Sequence, residues 1–410
     1  MKNAFKYDKM SLLSYTLSER NTKMKNNKEI LAENMAWAEE SFKKIDAKFS
    51  KVTIRSREKL ADGVDKNGVH KSVNPRTWTS GFWGGLNHLL YDYTKNEEYL
   101  KTAHRSEELL DPALEDFATL YHDVGFMWHI LSGANYRLNG DEKSKNRNLH
   151  AAASLFSRYV MNGGFIKAWN NRWQDNDVTN WTIIDCMMNL PILYWASDII
   201  GDDRFTQIAK AHADMALRDH IRPDGSVVHI VEHDRETAGV VTTHGGQGYC
   251  VGSCWSRGQA WGLYGFILSY KHTGDVRYLD AAKKIAHYFI ANCCDDWLPR
   301  VDFRAPSEPV YYDSTAGACA ACGLIEIAKS VGEHEGGMYM NAAVNILKAL
   351  EANFIDYDPE TDAMLGHGTV LYPKNEKQMS GLHISIIYAD FFYTEAILKL
   401  LGSEFNPWMK

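Results

Sequence analysis

Two kinds of helical segment alternate along this chain of 410 residues. Six segments are amphipathic, with apolar side chains three and four positions apart, as in the segment from Asp203 where Ile208 and Met215 share one face. Between them lie six segments that are apolar almost all round, beginning near Arg76, Tyr121, Ile183, Cys254, Asp313 and Gly381. A helix that is apolar all round must be buried on every side, whereas a helix with one apolar stripe can cover it.

This alternation predicts an all-α fold, an (α/α)6 toroid in which six inner helices are surrounded by six outer ones. An open helical solenoid is the competing layout, because periodicity alone does not show whether the ends of the array meet. No linker rich in Pro, Gly or Ser divides the chain, and only 10 prolines interrupt it. We therefore expect one domain over residues 29–410, preceded by a polar arm at residues 1–28.

Composition narrows the possible partners and the cellular location. The net charge of −7 argues against nucleic acid or an anionic membrane as the main partner, since both require a concentrated basic surface. No run reaches the roughly 18 apolar residues of a membrane span, and the N-terminus lacks the apolar core of a signal peptide. Seven cysteines, an odd number, favour a reduced chain, so we predict a cytoplasmic protein. Cys319 and Cys322 form only half of a zinc-binding pattern, and small residues in a packed helix are the better interpretation.

Two aspartates stand at the starts of successive apolar segments. Asp185 interrupts the run IIDCMMNLPILYW, and Asp123 is followed by Val-Gly-Phe. A carboxylate in such surroundings loses hydration unless it is paired, and two close carboxylates push their pKa values apart, so that one can act as an acid. Helix capping is the structural alternative for both aspartates. A metal site of the HD phosphohydrolase type, built on His122 and Asp123 with His129 and Asp185 nominated as further ligands, is a weaker alternative because a well-formed metal site would show several ligands at helical spacing.

Aromatic and cationic residues complete the predicted site. Trp255 and Trp261 bracket Arg257, and tryptophan faces stack on sugar rings while an arginine fork grips a carboxylate. Arg257 in an internal ion pair among core tryptophans is the alternative. Further candidates are His229, the loop residue Gln247 and Trp169, which is equally well explained as core. Together these residues predict a carbohydrate site for an acidic sugar, with no metal and no cofactor.

With these motifs in place, the chain resembles the unsaturated glucuronyl hydrolases of glycoside hydrolase family 88 over roughly residues 30–400. The resemblance rests on five ordered motifs, which are WTSGFW at 78–83, HDVGF at 122–126, IIDCMMNLPILYWAS at 183–197, WSRGQAWGLYGF at 255–266 and DSTAGACAACGLIEIA at 313–328. The fold of that family is the six-hairpin toroid, in agreement with the helix pattern.

The resemblance implies removal of 4,5-unsaturated glucuronate from the non-reducing end of oligosaccharides made by polysaccharide lyases. Water is added across the C4–C5 double bond, so the separation of the carboxylates does not predict retention or inversion. By resemblance, Asp185 donates a proton to C4 and takes one from the water, and Asp123 is the second essential carboxylate. The residues that resemble substrate contacts are Trp78, Trp169, His229, Gln247, Trp255, Arg257 and Trp261.

Two positions depart from the family pattern. Val370 stands where a tyrosine is usual after Gly-Thr, and Tyr388 stands where a Trp-Gly-Asp-Tyr motif usually begins. The first lies where the leaving sugar is expected, so it bears on the choice between chondroitin, hyaluronan and heparin fragments and on tolerance of sulfate. An unsaturated rhamnogalacturonyl hydrolase acting on pectin fragments and a non-catalytic sugar-binding toroid are the alternative functions.

Overall fold

The computed structural model describes residues 25–170, 172–173 and 176–410. Within these ranges the chain forms twelve α-helices, which are α1 (Asn27–Arg55), α2 (Phe82–Thr94), α3 (Glu97–Leu114), α4 (Ala134–Asn139), α5 (Glu142–Phe156), α6 (Pro191–Ile200), α7 (Arg204–Asp219), α8 (Ser256–Thr273), α9 (Val276–Ala291), α10 (Ser314–Ser330), α11 (Glu333–Phe354) and α12 (Ile387–Leu400). A π-helical segment, Gly125–Gly133, leads directly into α4, and a 3₁₀ turn, Ile184–Met188, precedes α6.

The even-numbered helices form a closed inner ring. Going round it, α2 packs against the segment that leads into α4, this segment against α6, and then α8, α10 and α12 follow, with α12 returning to α2. Residues 256–269 of α8 and all of α12 are buried, as expected for helices that are apolar on every side. The contact between the last and the first inner helix confirms the toroid and excludes the open solenoid.

The odd-numbered helices cover the ring with one apolar stripe each. In α9 the buried stripe consists of Tyr278, Ala281, Ala282, Ile285, Ala286 and Phe289. Asp275 caps this helix by accepting a hydrogen bond from the backbone N–H of Arg277. The predicted amphipathic segments therefore occupy the outer layer, where their polar faces meet solvent.

Some helix ends differ from the sequence-based expectation. The last inner helix begins at Ile387 rather than near Gly381, because residues 376–381 form a 3₁₀ turn and Ile384 then pairs with Gly368 in a β-bridge. At the other end of the chain α1 begins at Asn27, two residues before the predicted boundary, with Asn26 and Glu29 forming a capping box. Most of the predicted N-terminal arm, residues 1–24, lies outside the described residues.

Short strands, which the helical pattern did not predict, surround one end of the ring. They are β1 (Ala61–Val64), β2 (His70–Ser72), β3 (Tyr159–Val160), β4 (Phe165–Ile166), β5 (Arg172–Trp173), β6 (Asn176–Asp177), β7 (Trp181–Ile183), β8 (Ile230–His233) and β9 (Val240–His244). The first six form three hairpins, and β7, β8 and β9 form an antiparallel sheet in that order. The sheet pairs Ile183 with Ile230, which brings the residues next to these two positions together. Across the part of the chain that is described, no helix is long and apolar enough to cross a bilayer.

Candidate active site

The two aspartates predicted to carry chemistry lie where inner helices begin. Asp123 stands two residues before the π-helical segment, and Asp185 lies within the 3₁₀ turn that follows β7. Each side chain retains 15% exposure. Neither helical segment has a side-chain cap, since Val124 and Ile183 occupy the N-cap positions. Helix capping therefore does not explain either carboxylate.

The surroundings of the two carboxyls separate their pKa values. Burial, together with the negative charge of Asp185, raises the pKa of Asp123 to about 8. Burial also opposes ionisation of Asp185, but the adjacent His229 outweighs it and holds the pKa of Asp185 below its usual value. Near neutral pH the pair therefore holds one proton, which resides on Asp123. This is the arrangement that acid–base chemistry at two carboxyls requires.

Asn189 fixes the orientation of this pair. The side-chain oxygen of Asn189 accepts a hydrogen bond from the backbone N–H of Phe126 at 2.9 Å, which sets the direction of its amide. The Nδ2 atom then donates to Asp123 Oδ1 and to the backbone oxygen of Asp185, each at 3.3 Å. The sequence analysis did not select Asn189. Its spacing of four residues from Asp185 was the available signal, because that spacing places both on one helical face.

Two histidines adjoin the carboxylates. His229 Nδ1 accepts the backbone N–H of Gln247 at 3.3 Å, so a neutral ring carries its proton on Nε2, which lies 3.4 Å from Asp185 Oδ1. His122 Nε2 lies 3.4 Å from Asp123 Oδ1, and burial lowers the pKa of His122 to about 3. His122 is therefore neutral beside the proton-holding carboxyl.

A cavity of about 610 Å³ opens beside this group. Its wall includes Trp78, Gln247 and Arg257, three of the predicted substrate contacts. The carboxylates are not part of that wall, but contacts run without a break from one group to the other. Gln247 bonds His229 through its backbone, and the guanidinium of Arg257 stacks 4.4 Å above the ring of Trp255. The cavity wall and the carboxyl pair are therefore linked by direct contacts through His229 and Trp255.

Arg257 is tied into the protein as well as facing the cavity. It is 1% exposed, forms an ion pair with Asp313 and donates to the backbone oxygens of Thr369 at 2.6 Å and Val370 at 2.7 Å. The alternative of an internal ion pair among tryptophans is thus correct for this residue. Since Arg257 also lines the cavity, its charge acts on the same space that a ligand would fill.

The tryptophans divide between the site and the core. Trp78 lines the cavity with its ring 5.0 Å from that of Tyr388. Trp255 packs 4.4 Å from the ring of His229, next to the carboxylates. Trp261 is 1% exposed inside the ring of helices, and Trp169 packs against Trp181 in a separate small cluster. The structure therefore places Trp78 on the cavity wall and Trp255 beside His229, whereas Trp261 and Trp169 lie in packed clusters and their contact with substrate stays a prediction.

Both positions that depart from the family pattern lie on the cavity wall. Val370 accepts hydrogen bonds through its backbone oxygen from Arg257 and from Gln247 Nε2, the latter at 2.6 Å. The ring of Tyr388 lies 5.7 Å below the Arg257 guanidinium. Two further wall residues were not selected from the sequence as site residues. Asp62 lies on β1, which only the folded chain brings to this place, and Thr79 lies inside the WTSGFW motif next to Trp78.

The metal hypothesis is not supported by where its nominated ligands lie. His129 interacts with Asn148 at 3.3 Å and with the backbone oxygen of Trp408 at 3.4 Å, rather than with His122. No group of three or more His, Cys, Asp or Glu side chains suited to a metal ion occurs among the described residues. Cys319 and Cys322 are buried within α10, as small packed residues.

Comparison with known proteins gives a consistent result. Residues 50–271 match the model of Glycosyl Hydrolase Family 88. The chain is 34% identical to the unsaturated glucuronyl hydrolase of Bacillus sp. (strain GL1), over 87% of this chain and 96% of that protein. It is 31% identical to the unsaturated chondroitin disaccharide hydrolase of Streptococcus pneumoniae, over 81% and 84%.

Solved structures agree with the sequence comparisons. The unsaturated glucuronyl hydrolase from Bacillus sp. GL1, described as responsible for the degradation of glycosaminoglycan, superposes with a TM-score of 0.82 at 30% identity, covering 90% of this chain and 98% of that one. An unsaturated glucuronyl hydrolase specific for heparin gives a TM-score of 0.80 at 29% identity, covering 90% and 97%.

Proposed function

The chain belongs to glycosyl hydrolase family 88, and we propose that it removes 4,5-unsaturated glucuronic acid from the non-reducing end of lyase-generated glycosaminoglycan oligosaccharides. The observation that carries this proposal is the pair of buried carboxyls with opposite pKa shifts, Asp123 and Asp185, beside a cavity of sugar size. Trp78, Trp255 and Arg257 supply stacking faces and positive charge for an acidic sugar next to that pair.

The proposed reaction is hydration of the C4–C5 double bond. Asp185 donates a proton to C4, and water adds at C5 as Asp185 takes a proton from it, which restores the carboxylic acid. The product at C5 is a hemiketal, which opens spontaneously and releases the linked sugar. No metal or cofactor enters this scheme, and atoms balance with one water consumed.

Substrate charge assists the first step. In the free site the proton resides on Asp123, while Asp185 is ionised. The carboxylate of an arriving uronate adds a negative charge near Asp185, which raises the pKa of Asp185, so that the proton of the pair passes from Asp123 to Asp185 and Asp185 then donates it to C4. Arg257 limits the cost of bringing this second negative charge into the site, because its guanidinium lies on the adjoining wall.

The test follows the ultraviolet absorbance of the conjugated double bond. Wild type is expected to abolish this absorbance with glycosaminoglycan disaccharides, and Asp185→Asn to lose at least about 100-fold in kcat, since the amide cannot transfer a proton. Asp280→Asn is the matched control, because Asp280 is exposed on the outer helix α9 and its replacement changes the net charge equally. Full activity in Asp185→Asn would contradict the mechanism.

A parallel series of assays distinguishes the proposed activity from the related hydrolysis of pectin fragments. Unsaturated galacturonyl-rhamnose from a pectin lyase digest tests for rhamnogalacturonyl hydrolase activity under the same conditions. We expect the glycosaminoglycan disaccharides to react faster. A faster reaction with the pectin fragment would reassign the substrate class and leave the hydration chemistry unchanged.

We also propose that the protein acts in the cytoplasm. All seven of its cysteines are unpaired, including the exposed Cys250 and Cys294. Free exposed thiols are typical of a reducing compartment. Fractionation of the producing cells, with the activity assayed in each fraction, tests this location.

A further inference from the structure

We propose that His220, which lies behind the sheet of β7, β8 and β9, is a positioning residue for the reaction. It holds the backbone that carries His229, and through His229 it sets the place of the N–H group beside Asp185. No hydrogen bond or ion pair joins His220 to either carboxyl among the described residues, so its effect passes through His229. The inference rests on the proposed function, because the effect is measured as the rate of hydration.

His220 binds one residue, Val228, through both its backbone and its ring. The backbone N–H of Val228 donates to the backbone oxygen of His220 at 2.8 Å. The Nδ1 atom of His220 lies 2.8 Å from the backbone oxygen of Val228, and because a carbonyl oxygen only accepts, Nδ1 carries a proton and donates it. The peptide group that joins Val228 to His229 is therefore held by a histidine ring.

The other nitrogen of this ring is held by Thr182, on β7. His220 is fully buried, and burial lowers its pKa to about 4, so the ring is neutral near neutral pH. With the proton on Nδ1, Nε2 accepts the hydroxyl proton of Thr182 at 2.9 Å. The same hydroxyl oxygen can accept from His233 Nε2, 3.1 Å away. One buried ring thus links the strand that leads to Asp185 with the peptide group before His229.

The contact between His229 and Asp185 is sensitive to a small displacement. His229 Nε2 lies 3.4 Å from Asp185 Oδ1, at the long end of the range for a hydrogen bond, yet it lowers the pKa of Asp185 against the effect of burial. The backbone oxygen of His229 accepts the N–H of Ile184 at 3.1 Å, which fixes the residue on its C-terminal side. On the N-terminal side the peptide group is fixed by His220. Loss of that bond lets this peptide group rotate and moves the imidazole away from the carboxylate.

The test compares His220→Asn with His220→Gln. The amide nitrogen of Asn lies near the place of Nδ1 and can still donate to Val228. Gln reaches the place of Nε2 and can accept from Thr182, but it leaves the backbone oxygen of Val228 without a donor. The substrate is an unsaturated glucuronyl disaccharide whose hexosamine is unsulfated, here called the unsulfated disaccharide. We expect kcat to fall about 10-fold in His220→Gln and to stay within about 3-fold of wild type in His220→Asn.

A double-mutant cycle with His229→Gln separates positioning from a general loss of structure. If His220 acts through His229, adding His220→Gln to His229→Gln should lower kcat by less than about 2-fold more, whereas independent effects would multiply. His272→Asn is the matched control, because it loses a bond from a histidine to the backbone oxygen of Trp408, 3.0 Å long, at the other end of the ring. Its kcat should remain within about 2-fold of wild type.

Thr182 provides the same test if His220→Gln proves to be unfolded in thermal denaturation. Thr182→Val keeps the shape of the side chain and removes the proton that His220 Nε2 accepts, so kcat should fall about 3-fold to 10-fold. Thr182→Ser retains the hydroxyl and should restore kcat to within about 2-fold of wild type. Equal kcat in these two variants would overturn the inference.

The outcomes distinguish this inference from the proposed function. A wild type that is inactive on every unsaturated disaccharide overturns both. An active wild type overturns the positioning role alone if His220→Asn and His220→Gln have equal kcat. The same holds if His229→Gln has the kcat of wild type, or if the losses of His220→Gln and His229→Gln multiply in the double variant.

Discussion

The proton shared by Asp123 and Asp185 sets the expected pH dependence of the reaction. Below about pH 8 the pair holds one proton, and above it both carboxyls are ionised, because burial raises the pKa of Asp123 to about 8. The ionised pair has no proton to move to C4. We therefore expect kcat/KM to fall as the pH rises through this value, and the alkaline side of the profile reports on Asp123.

Asn189 provides a test of that assignment. Its Nδ2 donates to Asp123 Oδ1 and so favours the ionised carboxyl, which means that Asn189→Ala raises the pKa of Asp123. The alkaline limb of kcat/KM should move up by about 0.5–1 pH unit, and kcat/KM at its optimum should fall by about 10-fold as the carboxyl loses its orientation.

The measurement is the pH profile on the unsulfated disaccharide, with Asn292→Ala as control. Asn292 is exposed at the end of α9 and donates to the backbone oxygen of Tyr288. If the alkaline fall in kcat/KM occurs at the same pH in Asn189→Ala as in wild type, a group other than Asp123 governs that fall. Thermal unfolding shows whether the unpaired backbone N–H of Phe126 has destabilised the fold.

Single residues also show which parts of the site could be predicted from the sequence and which could not. Asp123 and Asp185 could be found because a charged side chain inside an apolar run is costly and therefore conspicuous. Asp62 lies in a short polar segment that gives no such contrast, and both Asp62 and Thr79 are distant in sequence from Gln247, Arg257 and Tyr388, which line the same cavity. Only the packing of β1 against the start of α12 brings them to the cavity.

Among the elements, the 3₁₀ turn Ile184–Met188 is the one that positions Asp185. It packs against α8, where Gly265 leaves so little room that an added Cβ would lie 2.4 Å from Met187 Cβ and 2.8 Å from the Met187 backbone carbon. A contact with backbone does not relax by rotation of a side chain. The placement of Asp185 thus depends on a glycine that the sequence showed only as part of an apolar helix.

Gly265→Ala is expected to push the turn away from α8. We predict a loss of about 1–3 kcal/mol in the free energy of unfolding, typical of overpacking, together with at least about a 10-fold fall in kcat. Chemical denaturation and steady-state kinetics measure the two effects. Gly239→Ala is the control, because Gly239 is exposed in the β8–β9 turn and its nearest neighbour would be 3.5 Å away. Equal behaviour of the two variants would contradict this account of the turn.

Helices were more predictable than the segments between them, for a physical reason. An inner helix must be apolar on all sides along its whole length, and this requirement leaves a long signal in the sequence. The strands around the site are two to five residues long and are fixed by pairing with distant segments, as when Ile183 pairs with Ile230. Such short pairings carry little local pattern. The site residues near the starts of inner helices were therefore predicted, whereas the sheet of β7, β8 and β9 that brings Asp185 and His229 together was not.

At the scale of the whole molecule, the two ends of the ring of inner helices differ in function: one carries the candidate active site, and the other is covered by the C-terminal segment. The carboxylates and the cavity lie where inner helices begin, whereas the C-terminal segment closes the opposite end. Trp408 is fully buried there, with its backbone oxygen accepting from His272 Nε2 at 3.0 Å. Arg137 donates to the backbone oxygen of Pro407 at 2.6 Å. Since His272 and Arg137 lie in the last turns of α8 and α4, the chain's end ties inner helices together.

This separation predicts that stability and catalysis can be changed independently. Trp408 stacks parallel to Phe392 at 6.0 Å and donates its indole N–H to Glu395 at 3.2 Å. Trp408→Ala should lower the free energy of unfolding by about 3–5 kcal/mol, because it leaves a large cavity and an unpaired acceptor. Below the unfolding temperature, kcat/KM should change much less than the stability, since Trp408 reaches the site only through Phe126, whose ring lies 6.0 Å from that of Trp408 and whose backbone N–H donates to Asn189.

The comparison with Lys410→Ala makes this prediction specific. Lys410 is in the same segment, but its ion pair with Asp198 at 2.6 Å is about half exposed to solvent. Such a pair contributes at most about 1 kcal/mol, so its loss should barely move the unfolding midpoint. Denaturation midpoints and disaccharide kinetics for both variants are the measurement. Two outcomes would contradict the expectation that the C-terminal segment stabilises the ring without taking part in the reaction. One is a Trp408→Ala variant that is as stable as wild type, and the other is a variant that is folded but has lost activity.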